Sequence, residues 1–278
     1  STVNLTFCFS SACAAADSKF FLNDSQSCSS RGHPPPHFSK YLHEDLQLFL
    51  FSIVLSKIPE LTIMFYPMSE FTSGMAVKET NGLGLNNIII GINSNMSKGR
   101  QRFTLAHELY HLLYEEGGEL IICERSNLTD SEKEADTFAS YLLMPYGALE
   151  RYVKTNNISE WDLDKVIAVE QYFQLSHHAM LYRLHNQGFI TEEQKEEFSK
   201  VYIGQEAKIR GYSDDLYTST DKHRKYYALG NYIRLIKDAN LSEKISKGKS
   251  DELLLDGFRG DLAYNGYKEY EEYDLDKE

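Results

Sequence analysis

Within residues 102–116, RFTLAHELYHLLYEE, two histidines stand four positions apart, His107 and His111, and Glu108 directly follows the first. On a helix of about 3.6 residues per turn, side chains at i and i+4 project from one face. Both imidazoles can therefore grip one metal ion, while Glu108 points beside that ion and off the ligand line. A carboxylate so placed can take a proton from metal-activated water, which is the chemistry of peptide-bond hydrolysis. A short HExxH pattern can arise by chance on a surface helix. Here Phe103, Leu105, Ala106, Leu109, Leu112 and Leu113 make much of the circumference apolar. The helix is expected to be buried, and its polar residues then need partners.

Two histidines need a third protein ligand, with one position left open for water and substrate. The next helical segment, SEKEADTFASYLLMP over 131–145, offers Glu132, Glu134 and Asp136. Glu132 and Asp136 are four apart on one face. With Glu132 on the metal, Asp136 can accept a hydrogen bond from a ligand imidazole. Glu134 points about 200° around the helix from Glu132. Glu132 is therefore favoured over Glu134, and each acid alone could equally be solvated surface charge.

These residues carry a resemblance. LAHELYHLLY, a variable loop and then EKEADTFASYLLMP resemble the ImmA/IrrE family of bacterial metallo-endopeptidases. That family pairs HExxH with a later E-x-x-A-[N/D]-x-F-A and an LLMP-like ending. Glu132, Ala135, Asp136, Phe138, Ala139 and the run from Leu142 to Pro145 meet the second motif. The similarity extends over about residues 61–190 and includes the run from Lys98 to Phe103. It departs at Tyr110, where a small residue such as Gly is common; a tyrosine there narrows the site without removing a ligand. The resemblance implies a gluzincin-like fold, Zn2+ on His107, His111 and Glu132, and Glu108 as general base. It also implies a protein substrate, a helix-turn-helix repressor or antitoxin. The donor types alone leave the metal open, because imidazole and carboxylate suit several divalent ions. Tyr110, Tyr114 and Tyr141 are candidates for stabilising the oxyanion, although tyrosines more often serve packing. A rival reading is a metalloprotease-like module that captures a repressor or antitoxin without cutting it. The carboxylate of Glu108 argues for the enzyme, since a pure binder has no need of it.

The elements that must position this chemistry follow from periodicity and punctuation. Three β-rich runs, 61–66, 74–78 and 87–93, predict a small, mostly antiparallel sheet. A long helix should start at an Asn95 or Ser97 cap and stop before Gly117-Gly118. The second ligand helix should begin at the Thr129-Asp130-Ser131 caps and end at Pro145. Further helices are expected at 41–57, 162–173, 176–187, 192–202, 223–238 and 242–263. The fold class is α+β, with the HExxH helix and second ligand helix followed by a helix-turn-helix-like extension. The expected divisions are a disordered leader at 1–40, a zincin-like domain with its N-terminal helix at 41–150, a helix-turn-helix-like unit at 151–200 and a helical extension at 201–278.

Composition bounds the rest. The chain has 278 residues, 42% hydrophobic, and a formal net charge of -12, so general attraction to nucleic acid or anionic membrane is not expected. Residues 159–200 carry eight acids against four bases. This disfavours DNA binding by the helix-turn-helix-like pair and favours a packing or protein-binding role. His177 and His178 are adjacent and cannot share a helix face, so no second metal site is expected there. The basic stretch KHRKYYALGNYIRLIK at 222–237 suits either a solvated face or a docking surface for an acidic partner segment. The longest apolar stretch, 46–58, is broken by Gln47, Ser52, Ser56 and Lys57 and is too short for a transmembrane helix. Cys8, Cys13, Cys28 and Cys123 form neither a disulfide framework nor zinc-finger spacing. Residues 5–16 faintly resemble a secretory signal but lack a basic start, and a cytoplasmic location is expected.

Overall fold

The computed structural model describes residues 54–80, 86–115, 121–124, 129–222 and 225–265. The expected leader and most of the expected helix over 41–57 lie outside these; residues 54–57, at its end, are helical.

The α+β expectation holds. Strands β1 (Leu61–Tyr66), β2 (Thr72–Thr80) and β3 (Asn86–Asn93) occupy the three predicted runs. They join β4 (Ile121–Glu124) and β5 (Tyr227–Gly230) in one sheet of order β4-β2-β3-β1-β5. Three of its four pairings are antiparallel; β1 runs parallel to β3, with Ile63 opposite Ile90 and Phe65 opposite Ile92. Alternate residues Leu61, Ile63 and Phe65 are buried, as period-two side-chain direction requires of a covered face. Each such side chain contributes roughly 1.5–3 kcal/mol by leaving water.

Helix α1 (Lys98–Tyr114) lies against β2 and β3 and feeds Leu105, Leu109 and Leu112 into the same core as Ile63 and Ile90. Its N-cap is Ser97, one of the two expected caps. Helix α2 (Asp130–Leu143) packs on α1 through Ala135 and Ala139, both fully buried. Two small residues one turn apart let the helices approach closely, which the site requires. Thr129 caps α2, its hydroxyl accepting from Glu132 N at 3.2 Å.

Next come α3 (Ala148–Thr155), for which the sequence reading gave no element, and the helix-turn-helix-like pair α4 (Leu163–Phe173) and α5 (His177–Asn186). The turn between them rests on Gln174 in the left-handed region, φ 57°, and on Ser176 capping α5. A second core, including Met144, Val166, Leu175 and Met180, gathers these helices. Arg183 fastens it to the end of α2 by donating to Ser140 Oγ at 2.8 Å and to Met144 O at 3.2 Å.

The C-terminal half departs from expectation. The helix read over 192–202 stops at Ser199 as α6 (Glu192–Ser199), and α7 (Ile203–Ile209), for which the sequence reading gave no element, follows it. In place of one helix over 223–238, β5 extends the sheet before α8 (Asn231–Leu241) begins. Gly230 makes this switch possible: its φ is 94°, and a Cβ there would collide with the Leu61 carbonyl. The helix read over 242–263 is two, α9 (Lys247–Asp256) and α10 (Gly260–Asn265), divided at Gly257 and at Phe258 with φ 58°. No helix among the described residues is long and apolar enough to cross a membrane.

Candidate active site

Burial on α1 selects the site. His107, Glu108 and His111 are 8%, 0% and 2% exposed, so their polar atoms must be satisfied inside the protein. Each imidazole has its Nδ1 turned to a carboxylate. His107 Nδ1 lies 2.8 Å from Asp136 Oδ1, and His111 Nδ1 lies 2.9 Å from Glu115 Oε1. In a neutral ring, a nitrogen that donates to a carboxylate leaves the other with its lone pair. His107 Nδ1 is hydrogen-bonded in this way, whereas His111 Nδ1 stands at ion-pair distance from Glu115 without hydrogen-bond geometry.

Those other nitrogens converge. His107 Nε2 and His111 Nε2 are 3.2 Å apart, and the Glu132 carboxylate faces both, at 3.1 Å and 3.6 Å. One donor atom from each of the three residues falls within 4.8 Å of the others. Two imidazole lone pairs facing each other across 3.2 Å repel unless a proton or a metal cation lies between them. Two nitrogens held tetrahedrally by one zinc ion, with Zn–N of about 2.0–2.1 Å, stand about 3.3 Å apart. The donor set therefore fits a small divalent cation in spacing and in ligand type.

Glu132 owes its position to the first turn of α2, where the Thr129 cap fixes the backbone and the positive end of the helix dipole favours a carboxylate. Glu134 points elsewhere, accepting a hydrogen bond from the Tyr110 hydroxyl. That bond, with the neighbouring negative charge, pushes the Tyr110 pKa up to about 12. The Tyr110 ring packs on His111, Tyr114 and Phe138, and Tyr141 lies under the Arg183 guanidinium at 4.0 Å. Both rings thus have packing partners.

Burial works to lower the His107 pKa, but the Asp136 hydrogen bond and the charges of Glu108, Asp136 and Glu132 outweigh it and hold the pKa above its ordinary value. Burial likewise opposes charge on Glu115. The Ser131 hydroxyl and His111 overcome it, leaving the Glu115 carboxyl below the usual range.

Residues 61–185 match the family model of the IrrE N-terminal-like domain, Peptidase_M78. That stretch of the chain is similar to this family. No curated protein matches it. The M78 match covers just under half of the chain, starting at the first residue of β1 and ending inside α5. Strand β5 lies beyond the M78 region yet completes the sheet beside β1. Similarity to this peptidase family points to a metallopeptidase and a protein substrate.

The structure brings His107, His111 and Glu132 together, sets Asp136 against an imidazole as the helix spacing anticipated, and buries Glu108 under β2. Three further residues around this cluster were not anticipated. Glu115 stands four positions after His111, a spacing that could have exposed it as an imidazole partner. Ser131 had been read as a cap and instead donates to Glu115. Gly74 on β2 carries no sequence signal at all: a Cβ there would lie 2.7 Å from Glu108 Oε1 and 2.5 Å from Thr104 Cγ2, so the glycine makes room for the carboxylate.

Proposed function

We propose that this chain is a zinc-dependent endopeptidase that hydrolyses a protein substrate, with His107, His111 and Glu132 as metal ligands and Glu108 as general base. The observation that carries the reading is the pair of Nε2 atoms turned towards each other and towards Glu132, each imidazole pinned from behind by a carboxylate. When bound, the ion supplies Lewis acidity, polarising the scissile carbonyl and making water acidic enough to deprotonate near neutral pH.

Asp136 and Glu115 fix the ring orientation and tautomer of the two histidines and raise their basicity as ligands. Glu108 takes the proton of the attacking water and delivers it to the leaving amine. Its complete burial removes competing solvent, and Gly74 leaves space for its carboxylate. The proposed substrate is a helix-turn-helix repressor or antitoxin encoded beside this protein, which the family resemblance supports, and the proposed location is the cytoplasm. The acidic surface of the helix-turn-helix-like region favours a role in protein contacts over direct DNA binding.

The test is cleavage of the neighbouring repressor or antitoxin by wild type and by Glu108→Gln, each with and without a chelator. Cleavage by wild type alone, abolished by chelation and restored by zinc, is expected. Tight capture of that protein with no cleavage under any metal would replace the enzyme with a sequestering module.

A further inference from the structure

On the face of α1 away from the histidines, Lys98 and Arg102 stand one turn apart and border a small cavity shared with Gln171 and Gln174 of α4 and with Ser213 and Asp215. Its volume is about 10 Å3, enough for one occupant about the size of a water molecule. Arg102 is 4% exposed. Its Nη1 donates to Gln174 Oε1 at 2.7 Å and to Gln174 O at 3.3 Å, while its Nε is buried without a partner. Among the described residues no carboxylate lies within 4.0 Å of this guanidinium.

The other buried arginines are answered differently. Arg259 is clasped by both oxygens of Asp261 at 2.8 Å, and Arg183, which also has no carboxylate within 4.0 Å among the described residues, rests on the Tyr141 ring and donates to Ser140 Oγ and Met144 O. Lys98 is already matched, its Nζ 3.1 Å from Asp215 Oδ1, so the lining retains one positive charge. Burial lowers the Arg102 pKa to about 10, which still leaves it charged at neutral pH. The carboxyl-terminal end of α4, at Gln174 O, supplies a partial negative charge of about half a unit. A buried charge so incompletely answered is costly.

We propose that this cavity binds one monatomic anion, a halide, on the Nε side of Arg102, with Lys98 at its rim. A water molecule would accept the same hydrogen bond but bring no charge. The halide neutralises the guanidinium and thereby fastens the start of the HExxH helix to the helix-turn-helix-like pair at Gln174. The site is distinct from the metal donors: Arg102 precedes His107 by five residues, about 140° around the helix.

The experiment is a thermal-unfolding series of the purified chain in sodium chloride, bromide and gluconate at matched ionic strength, for wild type and Arg102→Gln. Wild type should gain several degrees in Tm, saturably, in either halide over gluconate, and Arg102→Gln should respond equally to all three salts. A crystal grown in bromide should show an anomalous peak beside Arg102 Nε. Equal Tm in all three salts, an unchanged halide response in Arg102→Gln, or a cavity holding water alone in bromide would overturn the proposal. Should Arg102→Gln fail to fold, the wild-type series and the bromide map decide the matter.

Discussion

Two regions of this molecule bury a histidine against a carboxylate, and they use the pair in opposite ways. On α1, His107 and His111 each spend Nδ1 on an acid and turn Nε2 towards a shared point with Glu132. On α5, His177 spends both nitrogens. Its Nδ1 lies 2.6 Å from Glu170 Oε1 and its Nε2 lies 3.0 Å from Phe198 O. Both ring nitrogens of His177 are thus taken up by acceptors of the fold itself, one of them a carboxylate that can balance a charge on the ring. Glu170, completely buried, also accepts from the Tyr217 hydroxyl at 2.8 Å. The first arrangement leaves two nitrogens and a carboxylate converging on one point, and the second leaves no nitrogen over. Burial of a histidine beside an acid is therefore no signature of a metal site; convergence of the remaining nitrogens is.

The comparison breaks most sharply at Glu108. Glu108→Gln should lower kcat for substrate cleavage by about 10²–10⁴-fold with metal content unchanged, because general-base catalysis is worth roughly that much. The next effect belongs to the other region. His177→Ala leaves Glu170 buried without its imidazole partner and should cost about 3–5 kcal/mol in urea unfolding, metal stoichiometry remaining at the wild-type value. Unfolding stability and metal content should thus respond to different histidines.

Asp136→Asn and Glu115→Gln sharpen the contrast from behind the ligands. Each should weaken metal affinity about 10–100-fold in competition with a chromogenic chelator, with little change in stability. Affinity equal to wild type in both would mean that the imidazoles are oriented by α1 alone.

The smallest effect is in pH. Although burial opposes charge on His177, the Glu170 bond and charge and the Phe198 carbonyl hold its pKa above the ordinary value. Its contribution is therefore complete below the unfolded pKa of about 6.5 and is lost as pH rises through the higher folded value. Burial also raises Glu170, which adds in the same direction. Unfolding free energy should fall from neutral into alkaline pH in wild type, and more weakly in His177→Gln.

How much of this was legible depended on distance along the chain. The site helices were readable because their information is local: His107 and His111 are one turn apart, and Thr129, Asp162 and Ser176 cap the helices they precede. The strands β1 and β3 were readable because runs of β-branched and aromatic residues, LTIMFY and NIIIGIN, bounded by turns favour a sheet. Strand β5 was not. Its YALG sequence looks like the entrance to a basic amphipathic helix, and what makes it a strand is pairing with β1, Phe65 opposite Tyr227. No local pattern carries a contact between residues so far apart. The same holds for Gly74, whose need is set by Glu108 reaching across from another element. Glu115 is different: its spacing from His111 is visible, but beside Glu116 at the end of the helix it reads equally as solvated charge.

The central claim is that His107, His111 and Glu132 hold one metal ion. Its most direct test is elemental analysis of the wild-type chain beside Glu132→Ala and Glu134→Ala, purified without chelator. The account predicts about one zinc per chain in wild type and Glu134→Ala, and loss of it in Glu132→Ala. Metal retained in Glu132→Ala, or absent from the folded wild type after zinc is supplied, would contradict it.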